Sequence, residues 1–365
     1  MAVRRRVLLL FGGRSAEHDV SRATAVAVAS ALDSDKYEIV PVAITTDGRW
    51  LLADEAVVQL EGGRDALPAA FAASGSPVEL PSDPGRAELV HLGSGPPLAV
   101  DVVFPLLHGP YGEDGTVQGL LELADLPYVG AGVLGSAVGM DKIMMKRAFT
   151  AAGLPQARYL EFRDTHDVNA FADRVVAELG LPCFVKPANM GSSVGVSKAR
   201  TRDEVVSAVE HAFEFDQWII AEEMVVGREI ETAVLGDDPP EVSVPGEVVP
   251  AADFYDYADK YEDGRAELLV PAPLTEAQTA EVRALAARAF EACRCEAMAR
   301  VDFFLREDGQ FLVNELNTIP GFTPISMYPK LWASSGLSYP ELLDRLVDLA
   351  VERHARRAHR AGKQR

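Results

Sequence analysis

Residues 298–329 read MARVDFFLREDGQFLVNELNTIPGFTPISMYP, and the rest of the chain is best understood from this stretch. Its first part, residues 299–305, is an alternating run of the kind a half-buried strand requires. Asp308-Gly309 follows, the dipeptide most diagnostic of a two-residue hairpin turn, and a second β-rich run, residues 311–313, leads into Glu315-Leu316-Asn317. With Asp308 and Gly309 as the central turn residues, the ladder sets Asp302 opposite Glu315 and Arg300 opposite Asn317. The strand period of two then keeps all four side chains on one face. A three-residue loop would shift that register by one and weaken the pairing. Carboxylates facing each other at about 5 Å repel by roughly 3 kcal/mol at an effective dielectric near 20, so something must offset them. A divalent cation would, and two carboxylates with an amide are oxygen-only donors suited to Mg²⁺ or Mn²⁺ rather than zinc. Magnesium in such a setting keeps waters and shares phosphate oxygens, so a nucleoside triphosphate is the expected companion. The bland alternative is a solvated hairpin face.

The bulk numbers agree with an enzyme of several parts. A chain of 365 residues is too long for one simple core and suits two or three domains. Hydrophobic content of 48% and aromatic content of 7% describe an ordinary globular protein, and a net charge of −20 argues against a nucleic-acid partner. Cys183, Cys293 and Cys295 match neither a zinc nor a redox spacing and read as reduced thiols in a cytoplasmic protein. The Arg4-Arg5-Arg6 start imitates a signal peptide, but the apolar run behind it, residues 7–11, is too short and fits a buried first strand. No apolar stretch is long enough for a membrane span.

Residues 7–11 are expected as a parallel strand, followed by a tight loop and an alanine-rich helix over residues 17–32 that Ser15 can cap. Residues 37–44 form the next strand. Residues 62–97, rich in Gly, Pro, Ser and Ala, read as a surface excursion with little regular structure. Residues 101–107 form a strand ending in the permissive loop HGPYGEDG, residues 108–115, which marks a ligand-facing position. His108 reads equally as a hydrogen-bonded loop residue. The order strand, helix, strand, helix gives an α/β open parallel sheet for residues 1–130. A helix is expected over residues 136–152. The loop after the strand at residues 181–186 can close its N–H groups on phosphate, with a flexible hairpin tip as the alternative reading. Residues 222–225 join two strands and read as the back of a nucleotide pocket or a plain connection. Residues 253–261, DFYDYADKY, read as a lid. A helix over residues 341–352 closes the C-terminal domain, with the basic residues 353–365 as a disordered tail.

Seven segments in this order resemble the D-alanine–D-alanine ligases of the ATP-grasp superfamily. They are GGRSAEHDVS (12–21), HGPYGEDG (108–115), MDK (140–142), VKPANMGSSVGVSK (185–198), YDYADKY (255–261), ARVDFFL (299–305) and NELNTIPGFTPIS (314–326). The resemblance implies a three-domain ATP-grasp architecture, α/β with an α+β C-terminal part. The expected divisions are 1–130 as an N-terminal open sheet, 131–223 as a central subdomain and 224–365 as a C-terminal subdomain carrying the metal site. It implies Lys142 and Lys186 on the α- and β-phosphates and the lid residue Lys260 near the γ-phosphate. Ser192, Ser193, Glu222, Glu223, Val225, Asn314 and Glu315 fall at the nucleotide, with Glu229 on its ribose. Asp302, Glu315 and Asn317 match the ligands of two Mg²⁺ (or Mn²⁺) ions. Glu17 would receive the first D-alanine's ammonium. His108 falls beside the substrate, and Ser326 and Met327 at the second substrate's carboxylate. Arg300 and Gly321 would form the oxyanion site, and Ser192 and Tyr261 would tie the lid to Glu17.

The implied reaction converts one D-alanine into an acyl phosphate with ATP, then joins the second D-alanine for peptidoglycan precursor synthesis. A homodimer is common in such a family; metal preference and a monovalent-cation requirement stay open. Two alternative readings exist. Ligases that join D-alanine to D-lactate lose the Lys-Tyr pair at the lid, and Lys260-Tyr261 is present here. A non-catalytic nucleotide-binding regulator would be expected to lose metal ligands or the oxyanion arginine, and all are retained.

Overall fold

The computed structural model describes residues 4–53, 75–84, 86–249, 267–323 and 325–362. The lid segment 253–261, with Lys260 and Tyr261, lies outside the described residues. Three sheets organise the rest. The first contains β1 (Arg5–Gly12), β2 (Tyr37–Ile44), β3 (Trp50–Leu52), β4 (Ser76–Glu79), β5 (Glu88–His91), β6 (Leu98–Ala99) and β7 (Val102–Pro105), in the order β6-β5-β4-β3-β2-β1-β7. The parallel core is β2-β1-β7; β3 to β6 extend it antiparallel. Part of the expected surface excursion is thus sheet. Its strands are too short and too proline-broken to show a period, and they gain their order from pairing with the strand already laid down.

The second sheet contains β8 (Tyr159–Arg163), β9 (Cys183–Pro187), β10 (Ser197–Ala199) and β11 (Trp218–Glu223) in the order β10-β9-β11-β8. The helices Val168–Glu178 and Arg202–Ala212 cover it, with Phe171, Val175, Val205 and Val209 buried against Cys183, Val185 and Ile219. The third contains β12 (Arg228–Leu235), β13 (Glu241–Val242), β14 (Gly246–Val249), β15 (Glu267–Leu269), β16 (Met298–Leu305) and β17 (Phe311–Asn317). Its path is β15-β14-β12-β16-β17, with β13 beside β12. The helix Glu276–Ala292, started by a full Thr275–Gln278 capping box, buries Val282, Leu285 and Phe290 beneath it.

Four further expectations need correction. Ser15 does not cap the first helix, His18–Ala31: its Oγ donates to His108 O at 2.7 Å and accepts from Glu17 N–H at 3.2 Å. The single helix expected over residues 136–152 is two, Val133–Met140 and Lys142–Ala151. Asp141 breaks the run with an extended backbone and accepts from Met144 N–H at 2.9 Å as an N-cap. The last helix runs Tyr339–Gly362, so the basic tail is largely ordered. Arg353 is 3% exposed and donates to Tyr128 O at 2.6 Å and Gly130 O at 2.5 Å. Arg356 pairs with Asp237, and Arg357 with Glu122 and Glu296. A run of arginines reads as solvated in sequence because its carboxylate and carbonyl partners come from distant segments.

The fourth concerns the hairpin. Arg306 faces Gln310, with the Arg306 N–H donating to Gln310 O at 3.0 Å, so the loop has three residues, 307–309, rather than two. Gly309 takes φ +85°, where a Cβ is disfavoured. The register from the loop is therefore displaced by one through Phe303↔Val313. A bulge at Asn314 then restores it, giving Asp302↔Glu315 and Arg300↔Asn317 as expected. Two irregularities cancel.

Candidate active site

A cleft holding about 1540 Å³ of space, its open mouth included, runs between the second and third sheets. Strand period two on β16 turns Arg300 and Asp302 toward it, and β17 brings Glu315 and Asn317 across from them. From the other side come Lys186 and Phe184 on β9, Glu222 at the end of β11, Lys142 at the start of its helix, and Ser192 and Ser193 of the loop after β9. Glu223, Val225, Glu229 and Asn314 complete the expected set along the wall.

The floor is charged and internally paired. Arg300 grips Asp302 with two bonds, Nε to Oδ1 and Nη2 to Oδ2, each 2.7 Å, and lies 3.1 Å from Glu231. Asn317 Nδ2 donates to Asp302 Oδ2 at 3.1 Å. Burial opposes the charge of Arg300, but Asp302 and Glu231 outweigh it and hold the guanidinium firmly protonated. The facing carboxylates are thus offset by an arginine, so the ladder does not depend on a cation to persist. The donors still fit one. They are two carboxylates and an amide, and a magnesium ion completes its shell with water and phosphate oxygens rather than a cage of protein groups. Among the described residues no three His, Cys, Asp or Glu side chains form such a cage.

The lysines are set differently. Lys186 Nζ lies 2.6 Å from Glu222 Oε2; burial opposes its charge and Glu222 outweighs burial, raising its pKa. Lys142 donates to Met190 O at 2.5 Å, and burial pulls its pKa down against the opposing influence of Glu315. Burial works against the Glu222 carboxylate too, yet Lys146 and Lys186 bring its pKa to about 2. Glu223 is engaged elsewhere: its carboxylate accepts from Arg158 N–H at 2.8 Å and Nε at 2.7 Å.

Glu17 reaches the cleft through the loop after β9, accepting a short hydrogen bond from Ser192 Oγ. A Cβ at Gly109 or Gly191 would stand 2.9 or 2.8 Å from Glu17 Oε2, so glycine at both places leaves room for that carboxylate. Ser192 and Ser193 take φ of 47° and 59°, a left-handed backbone unusual outside glycine and often held in place at binding loops. His108 is buried, with Nδ1 3.0 Å from Ile319 O, and burial lowers its pKa despite Glu17. It does not line the cleft. Gly321 and Ser326 lie together, a Cβ on Gly321 meeting Ser326 Oγ at 2.9 Å, and Met327 is buried at the start of the helix Met327–Ser334; none of the three lines the cleft.

Three residues of the site were not foreseen: Glu113, Glu231 and Lys146. Glu113 accepts from Gly109 N–H at 2.7 Å and Ile319 N–H at 3.1 Å, joining the two loops. Period two from Glu229 would have found Glu231, and a helical step of four from Lys142 would have found Lys146; nothing local marks Glu113.

Comparison with known proteins bears on the family and the fold. Residues 6–131 match the family model "D-ala D-ala ligase N-terminus", and residues 148–348 match "D-ala D-ala ligase C-terminus". A D-alanine–D-alanine ligase of Geobacillus thermodenitrificans is 50% identical over 352 residues, 96% of each chain. The structure of the D-alanine–D-alanine ligase from Coxiella burnetii superposes with a TM-score of 0.87 at 37% identity, covering 98% of this chain and 97% of that one. The VanG D-Ala:D-Ser ligase from Enterococcus faecalis gives 0.85 at 32% identity, covering 95% and 100%. The mixed α/β sheets and the cleft between them are the ATP-grasp arrangement. The chain therefore belongs to the D-alanine–D-alanine ligase family, and it is an enzyme that uses ATP to join two D-alanines for peptidoglycan synthesis.

Proposed function

We propose that the ligation proceeds through a D-alanyl phosphate and that the residues of the cleft divide its two steps between them. The observation that carries this is the pairing of Lys142 and Lys186 on one wall with Asp302, Glu315 and Asn317 on the other, which suits a triphosphate and a hard cation. The two lysines, with Lys260 from the lid segment, neutralise the phosphates. Phosphoryl transfer of this kind depends mostly on positioning and charge. Ser193, Asn314 and the backbone of residues 222–225 enclose the nucleotide, and Glu229 takes the ribose hydroxyls. Asp302, Glu315 and Asn317 would hold Mg²⁺ or Mn²⁺, which when bound neutralises charge on the transferring phosphoryl group. Arg300 must loosen its grip on Asp302 for this, and that motion frees the guanidinium for its second task.

That task is the tetrahedral oxyanion formed when the second D-alanine's amine attacks. Arg300 and the Gly321 N–H stabilise it, and removal of one such donor typically costs about 3 kcal/mol. Glu17, held by Ser192, receives the first D-alanine's ammonium, and His108 braces the loops around that substrate. Ser326 and the Met327 N–H take the second substrate's carboxylate. Tyr261 joins Ser192 and Glu17 when the lid excludes water, which protects the acyl phosphate from hydrolysis. We place the enzyme in the cytoplasm as a homodimer, and its parts as residues 1–130, 131–223 and 224–365.

D-Alanine labelled with ¹⁸O in its carboxylate tests the intermediate. One labelled oxygen per turnover should appear in the released phosphate, and phosphate without label would refute the acyl-phosphate route.

A further inference from the structure

Behind the phosphate lysines lies a buried ion cluster. Lys146 stands one helical turn beyond Lys142, and its side chain is 1% exposed. Its Nζ is 3.0 Å from Glu222 Oε1, while Lys186 Nζ is 2.6 Å from Glu222 Oε2. Each carboxylate oxygen has its own lysine. The two lysines differ in what else they reach. Lys186 lines the cleft and keeps 17% of its side chain exposed, whereas Lys146 sits behind Glu222 and does not line it. The Lys146 ammonium meets Glu222 as a charge rather than along a well-aligned hydrogen bond, with the Tyr159 ring 5.8 Å away.

A buried carboxylate that loses its only counter-charge is strongly unfavourable. If Lys186 were the sole partner of Glu222, its transfer to a phosphate would strand that charge, and the pair would resist opening. Two lysines on one carboxylate leave a single positive charge to spare, and it belongs to the lysine facing the cleft. We propose that Lys146 is a positioning residue for the ligation, the resident counter-ion of Glu222 that lets Lys186 leave this carboxylate for the nucleotide's phosphates. The inference rests on the reading of Lys186 as a phosphate-binding residue. One helix then serves the triphosphate twice, Lys142 directly and Lys146 through Glu222.

The test is calorimetric binding of inorganic tripolyphosphate, with Mg²⁺, to the full chain. This probe has no base, so contacts of Glu222 with adenine do not enter. Lys186→Met examines the underlying reading: wild-type affinity there would refute the phosphate role itself, independently of Lys146. With that affinity lost, Lys146→Met is expected to weaken tripolyphosphate about 30-fold, because Glu222 then captures Lys186. Lys146→Arg should stay within about threefold of wild type, and Lys146→Met combined with Glu222→Gln should recover to about the same level, which a mere packing role for Lys146 would not produce. Glu222→Gln alone should bind about tenfold more tightly, and Lys146→Gln, which stays polar but carries no charge, should show the same weakening as Lys146→Met if that variant does not fold. Unchanged affinity in Lys146→Met, a double variant as weak as that single one, or no tightening in Glu222→Gln would each overturn the proposal.

Discussion

At Asp302 a single carboxylate answers to an arginine, an amide and a facing glutamate, and the charges resolve locally. The types of these residues and their shared face are legible in sequence, because strand period two is a local property. The bidentate grip of Arg300 is not, since two residues on one strand face can equally point apart. Glu113 shows the same limit. Burial first, and then the charge of Glu17, push its pKa up from 4.5 to about 8. In the unfolded chain this carboxyl loses its proton near pH 4.5, while the folded protein keeps it to about 8. The folded state therefore binds more protons through that window, and its stability falls as pH rises. A Glu113→Gln variant is neutral throughout. Its melting temperature relative to wild type should move in the variant's favour by about 2 °C or more between pH 5 and pH 8. Parallel thermal scans at the two pH values check this, and a difference that stays constant with pH would contradict the shift.

At the scale of elements, most strands and helices carry their own signal. The apolar run of β1, the alternation of β16 and the capping box before Glu276–Ala292 are local patterns, and each element formed where its pattern lies. Irregularities were harder. The three-residue loop and the bulge at Asn314 are opposite displacements of one residue, and only their sum is visible in the facing of Asp302 with Glu315. The bulge belongs to the site because it is what returns Glu315 and Asn317 to the cleft face. Inserting one alanine after Asn314 should displace Glu315 and Asn317 by one place along β16, turning both side chains away. Activity should then fall by about 1,000-fold or more while the fold is retained, as read by ADP release together with circular dichroism. Near-normal turnover in a folded insertion variant would mean that this register does not set the site.

Across the whole molecule, the site depends on segments that meet only in the fold. Glu17 follows β1, Ser192 follows β9 and Arg300 lies on β16, and the last helix locks the first sheet to the third through Arg353, Tyr128 and Glu296. Arg353→Ala should remove that lock and leave two buried carbonyls unpaired, at a cost of about 2–4 kcal/mol. Denaturant unfolding should show the loss, while KM for ATP and D-alanine stays as in wild type; an Arg353→Ala protein of unchanged stability would deny the helix this role. The sequence by itself determined the pairing of Asp302 with Glu315, the glycine-rich loops and the family, because these follow from residue type, spacing and order along the chain. Only the tertiary structure decided the grip of Arg300 on Asp302, the sharing of Glu222 between two lysines and the burial of an arginine in a basic tail. Those depend on which distant charges approach within a few ångströms, and that distance is set by packing rather than by any local pattern.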